Sequence, residues 1–259
     1  MDNSLDKYKV IDRDMIKYIV VFFMGVGHFA GYFYATNTDP ASAFDLPFPL
    51  WLSIQMSLIA PPTLFFFITE GYRYTRSRKK YAVRLFVFAS ITQIPFWMLF
   101  LKEPYSLTDI LYFNVIFTLF LGLLSISVFD SDMKKPLKIL LIVIIYIASV
   151  FTEWNPFGIA YIMIWHCFRD DRKKLFISYT LLTLVMKILQ FATNIGPLTV
   201  WQSFAVSFAM FIAQMLPLFI ITYFYNGKKG KHPVFSKWFF YIFYPAHLLF
   251  IWVMIRLKQ

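Results

Sequence analysis

The chain has 259 residues, of which 59% are apolar, 21% aromatic and only 15% charged, with a formal net charge of +11. Soluble domains are roughly 45–50% apolar and about 25% charged, so this composition leaves little chain for a water-soluble catalytic domain. The positive charge falls in separate clusters between long apolar runs, which excludes a nucleic-acid-binding surface and points to lipid.

About 18–25 consecutive apolar residues cross a bilayer as a helix. On that basis we expect an all-α polytopic membrane protein of about nine transmembrane helices in one bundle, a single domain over residues 1–259. The expected helices are 15–34, 50–69, 82–101, 107–129, 137–151, 157–168, 175–193, 199–225 and 238–255. The fifth and sixth are short, and are expected either to cross a thinned region or to form a re-entrant hairpin.

The first run carries Lys17 and His28. At about 1.5 Å and 100° per residue, the eleven positions between them span roughly 16 Å and return to the same helix face. An intramembrane imidazole is costly and is commonly functional, although a hydrogen bond to a neighbouring helix explains it too. Gly25, Gly27 and Gly31 flank His28, so a backbone or a ligand can approach closely. Lys17 suits the anionic end of a long cofactor, and equally an ordinary anchor at the membrane rim. The connection that follows holds Asp39 and Asp45 but no Lys or Arg.

The second run contains Pro61-Pro62, which free backbone carbonyls near its middle. Beyond its end stand Glu70, Arg73, Arg76, Arg78, Lys79, Lys80 and Arg84, with Tyr72, Tyr74 and Tyr81 interleaved. Such a stretch suits phosphates by charge-assisted bonds and an adenine ring by stacking; anchorage to anionic lipid headgroups is the alternative. The next connection carries only Lys102. Gln93, Asn114 and Thr118 are polar groups inside the third and fourth runs, suited to interhelical hydrogen bonds. The seventh run holds Lys187, which either shares a polar cavity with His28 and His247 near the bilayer midplane or pairs with an internal acceptor such as Gln190. The ninth holds His247 after Pro245, which loosens the helix. Cys167 is the single cysteine, so neither an internal disulfide nor a cysteine-based metal site is expected.

Lys and Arg concentrate in alternate connections: before residue 15, then 73–84, 134–138, 169–174 and 228–237. The positive-inside rule therefore puts the N-terminus in the cytoplasm and, with nine spans, the C-terminus outside. No signal peptide is expected, because the first apolar run is too long and lacks a cleavage pattern.

Several strings resemble the TraX family of polytopic membrane proteins, named for N-terminal acetylation of conjugative pilin. They are Phe67-Ile-Thr-Glu70-Gly71-Tyr-Arg73 through Arg76, Lys79-Lys80-Tyr81 and Arg84-Leu, then Gln93-Ile-Pro95-Phe96. Asn114-Val-Ile-Phe117-Thr118-Leu-Phe-Leu-Gly122 and Phe240-Tyr-Ile-Phe-Tyr244-Pro245-Ala-His247-Leu follow. The family favours Asp-His in the first helix, whereas Gly27 precedes His28 here, so an acidic partner for His28 has to come from elsewhere. The Lys17/His28 spacing is also similar to the basic-x10-His pattern of the wider membrane acyltransferases.

The resemblance implies an enzyme of the cytoplasmic membrane that moves an acetyl group from acetyl-CoA to an amine or hydroxyl of a protein, peptide or glycan acceptor. It requires no metal and no nucleic acid, and its partners are acyl-CoA, membrane lipids and that acceptor. His28 is then the general base, with His247 and Asn114 beside it in catalysis. Lys17, Glu70, Arg73, Arg76, Arg84 and Gln93 bind the donor. Asn114, Gln93 or Tyr244 is a possible donor to the thioester oxyanion. The competing expectation is a transporter or flippase for an anionic or lipid-linked substrate, which suits the midmembrane polar groups and the proline-broken helix.

Overall fold

A computed structural model describes residues 7–34, 40–101 and 106–258; Asp39 and Lys102 lie outside them. Every regular element among the described residues is helical, with only isolated bridges of extended chain. Helix α1 (Arg13–Phe29) starts at Asp12, whose carboxylate accepts the Met15 N–H at 2.9 Å, and continues into a wider π-helical turn, Ala30–Tyr34. Helix α2 (Phe48–Met56) passes through a 3-10 turn, Ser57–Ile59, into α3 (Ala60–Tyr74). The prolines cause that change. Pro61 and Pro62 have no N–H for the carbonyls four residues back, and the tighter turn lets the Ala60 N–H reach Ser57 O instead.

Helix α4 (Arg78–Phe100) is capped by Ser77, and a single turn α5 (Leu107–Ile110) precedes α6 (Val115–Phe129). Helices α7 (Lys135–Ser149) and α8 (Asn155–Cys167) each carry a proline, Pro136 and Pro156, as their second residue. Then come α9 (Arg172–Asn194), α10 (Val200–Phe224), started by a Thr199/Gln202 capping box, and α11 (Pro233–Lys258), which contains Pro245.

Six of these are long and apolar enough to cross a membrane: α1 with its π turn, α2 with α3, α4, α9, α10 and α11. Helix α6 is apolar but has only 15 residues, about 22 Å at 1.5 Å per residue, short of a 30 Å hydrocarbon core. The chain is thus an all-α multi-pass membrane protein, and six helices among the described residues have the length and apolarity of full spans, where about nine were expected. The fourth expected span, 107–129, is corrected most clearly. Its helix is interrupted between α5 and α6, because Phe113 N–H goes to Phe151 O and Glu153 N–H to Phe113 O, both at 2.8 Å. Backbone groups used in that way are withdrawn from a helical ladder.

The chain forms two compact units. The first comprises Met1–Thr63, Tyr179–Phe243 and Val253–Gln259. In it α2 and the following turn pack on α1 and on α10. Gly27 permits the α1 approach: a Cβ there would stand 2.5 Å from Ser53 O and from Ser57 Cβ. An N-terminal clasp joins Ile11 and Arg13 to the α10–α11 connection, with Ile11 N–H to Phe224 O at 3.0 Å and Arg13 N–H to Lys228 O at 2.9 Å. The second unit comprises Leu64–Ser178 and Tyr244–Trp252. In it α6 packs against α4, α7 and α8. Its core holds Phe65, Phe96, Leu123, Ile126, Ile159, Tyr161 and Ile162, all fully buried.

Candidate functional site

In the first unit, Lys17 is half-buried on α1 with its Nζ 5.2 Å from the centroid of the Phe240 ring. One residue on, the Tyr18 hydroxyl lies 2.9 Å from Ser236 Oγ. His28 is half-buried eleven positions further along the same helix, edge-on to the Tyr32 ring with centroids 6.0 Å apart. The neighbouring glycines serve helix packing. Gly27 meets α2, as described, and a Cβ on Gly25 would lie 3.2 Å from the Phe243 ring. Lys187 is buried and donates to Gln190 Oε1 at 2.6 Å, the internal pairing that its spacing allowed.

The remaining candidates lie in the second unit, in two places. At the turn between α3 and α4, Glu70 is buried and ion-paired with Arg169. Arg73 and Arg76 are exposed and make no ion pair among the described residues. Arg78 sits over the Tyr72 ring at 4.1 Å and Arg84 over the Tyr81 ring at 5.4 Å. Gly71 lets Tyr81 close on the turn, since a Cβ there would be 2.6 Å from its hydroxyl. Nearby, His166 Nε2 pairs with Asp130 Oδ1 at 3.0 Å, and its ring meets that of Tyr72 edge-on. The result is an arginine surface whose buried acid is already neutralised by another residue.

The second place is a polar node at the start of α6. Asn114 is completely buried and caps the helix: its Oδ1 accepts the Ile116 N–H at 3.0 Å. Its Nδ2 donates to Ala89 O at 2.9 Å and to Gln93 Oε1 at 2.7 Å. Gln93 Nε2 in turn reaches Tyr112 O at 2.9 Å. Interhelical hydrogen bonding, the alternative expected for these polar groups, is thus what Gln93 and Asn114 do, and it occupies both hydrogens of the Asn114 amide that an oxyanion role would need.

Glu153 completes the node and went unnoticed in the sequence. Its Oε2 accepts the Val115 N–H at 3.0 Å and the Tyr244 hydroxyl at 3.3 Å. The Tyr112 hydroxyl donates to its backbone carbonyl at 3.4 Å. The ring of buried His247 packs edge-on against Tyr244, centroids 5.2 Å apart. Glu153 stands in the α7–α8 connection, outside the spanning helices. The residue as a whole is half-buried, but its carboxyl is enclosed enough for burial to push it up to about 7, against the two hydrogen bonds that pull it down. Burial and the Glu153 charge hold the Tyr112 phenol up to about 12, so it stays a donor. The available signal was a lone carboxylate in a very short connection between two apolar runs that are too short to span.

The family described as TraX protein matches residues 12–255. The chain is 32% identical over 198 residues to a protein of Dichelobacter nodosus described as a probable fimbrial assembly protein FimC of serogroup H1. That match covers 72% of this chain and 76% of the relative. No solved structure matches the chain.

Proposed function

The chain belongs to the TraX family, and on that premise we propose that it is an acyltransferase of the cytoplasmic membrane acting in pilus or fimbrial assembly. It takes an acetyl group from acetyl-CoA and places it on an amine or hydroxyl of a protein, peptide or glycan acceptor. The Lys and Arg distribution favours a cytoplasmic α3–α4 turn, on the side where the donor is found.

The observation that carries this reading is the turn itself. Arg73 and Arg76 are exposed and unpaired among the described residues, and Arg78 and Arg84 lie on tyrosine rings. Unpaired guanidinium forks match phosphate oxygens, and tyrosine faces match a purine. The Glu70–Arg169 pair keeps the local carboxylate from competing. His28, in the first unit, is the general base that removes the acceptor's proton as the thioester carbonyl is attacked; coenzyme A leaves as the thiol.

Titrating the purified protein with acetyl-CoA tests the reading. We expect micromolar binding and a loss of tenfold or more in Arg76→Ala or Arg84→Ala at unchanged protein abundance, since a charge-assisted hydrogen bond is worth roughly 1.5–3 kcal/mol. Absence of binding to the wild type returns the protein to the transport alternative. Unchanged affinity in both variants makes the turn a lipid anchor.

A further inference from the structure

Glu153 is an acid held by neutral groups, a backbone N–H and a phenol. Among the described residues its carboxylate forms no ion pair with Lys, Arg or His. The titratable side chains that face it are Tyr112 and Tyr244, with His247 stacked on the far ring. Helix α6 and the α7–α8 connection contribute backbone and hydroxyl groups to the node: Val115 N–H holds Oε2, and Thr118 Oγ1 donates to Thr152 Oγ1 at 2.9 Å. Both hydrogen bonds to the carboxylate converge on Oε2, leaving Oε1 without a partner among the described residues. An enclosed carboxylate is costly unless a cation compensates it. Here the hydrogen bonds orient the group without neutralising it.

We propose that Glu153, anchored by Val115 N–H and the Tyr244 hydroxyl, binds a primary ammonium group through its remaining oxygen and accepts a proton from it. The step balances as a proton transfer. One N–H bond of the ammonium breaks, an O–H bond forms on Glu153, and the electron pair stays on nitrogen as a neutral, nucleophilic amine. The inference rests on the acyl-transfer reading and assigns Glu153 as the residue that holds an amine acceptor. Glu153 also caps α6, so a purely structural role is the alternative to exclude.

A carboxyl near pH 7 is matched to this exchange. Binding needs the ionised carboxylate and the protonated amine. It is therefore lost as pH falls through about 7, and again as pH rises through the amine's own value, about 10 for an alkylamine.

The test uses the full chain in lipid nanodiscs, with phenethylamine as the probe and phenethyl alcohol as its neutral counterpart, followed by ligand-observed NMR at pH 8. We expect the amine to bind at least tenfold more tightly than the alcohol, and Glu153→Gln to abolish that preference. Glutamine keeps an oxygen for Val115 and Tyr244, so a cap alone would survive, and equal amine binding in Glu153→Gln and wild type overturns the inference. Should Glu153→Gln not fold, Tyr244→Phe decides. Removing a donor to the carboxylate raises its pKa, so the acid limb of amine binding must move to higher pH, and an unmoved limb overturns the inference. Acetyl-CoA affinity, measured on the same samples, separates the two readings. Amine binding without acetyl-CoA binding condemns the acyl-transfer reading alone, whereas Glu153→Gln protein that acetylates phenethylamine at the wild-type rate condemns only the role of Glu153.

Discussion

Asn114 commits its whole amide to the protein: one oxygen to the first turn of α6, two hydrogens to Ala89 O and Gln93 Oε1. A buried group with its donors used holds a fold together and has none left for a substrate. His28 is different. It is half-buried at the end of α1, beside the aromatic edge of Tyr32. A neutral imidazole near pH 7 is a ready proton acceptor, and alanine cannot replace it. We therefore expect His28→Ala to lower acetyl transfer by about 10²–10⁴ while acetyl-CoA binding and unfolding temperature stay close to wild type. His247→Ala should be milder, since that residue packs on Tyr244. Near-normal transfer by His28→Ala would pass the base role to His247.

At the scale of elements, close packing in the first unit depends on where α1 lacks side chains. Gly27 faces a backbone carbonyl, Ser53 O, which has no room to retreat, whereas a Cβ on Gly31 would sit 4.0 Å from Ile54 Cγ1, an ordinary contact. Overpacking typically costs about 1–3 kcal/mol. Gly27→Val should therefore lower the unfolding temperature in detergent clearly, and Gly31→Ala should leave it almost unchanged. If the two variants melt alike, α1 does not seat on α2 through Gly27. The same scale explains why α6 is shorter than its apolar run. Hydropathy continues without a break through Leu111, Tyr112 and Phe113, but the backbone there pairs with Phe151 and Glu153, and apolar content carries no record of that exchange.

For the whole molecule, the distribution of Lys and Arg governs which face is which. The connection carrying Arg73, Arg76, Arg78, Lys79 and Lys80 should face the cytoplasm, and that carrying Ser42 the outside. Cys167 is exposed and would react, so the experiment starts from Cys167→Ser. In that background, Ser42→Cys should label with an impermeant maleimide in intact cells, and Ser77→Cys only after permeabilisation. Labelling of Ser77→Cys in intact cells inverts the orientation.

Membrane embedding, all-helical architecture and family membership follow from the chain alone. Apolar runs, basic clusters and local motifs act over a few neighbouring residues, and the bilayer rewards them additively. The capping signals of α1, α4 and α10 are equally local: Asp12, Ser77 and Thr199 each stand three residues before the N–H they accept. What only the tertiary structure decided is the node at the start of α6. Gln93 meets Asn114 across 21 positions, Glu153 meets Val115 across 38, and Tyr244 meets Glu153 across 91. Those pairings interrupt an apolar run, use up the amide of Asn114 and leave Glu153 without an ion pair among the described residues. They depend on which helices pack side by side, and the hydropathy of one segment contains no information about its neighbours.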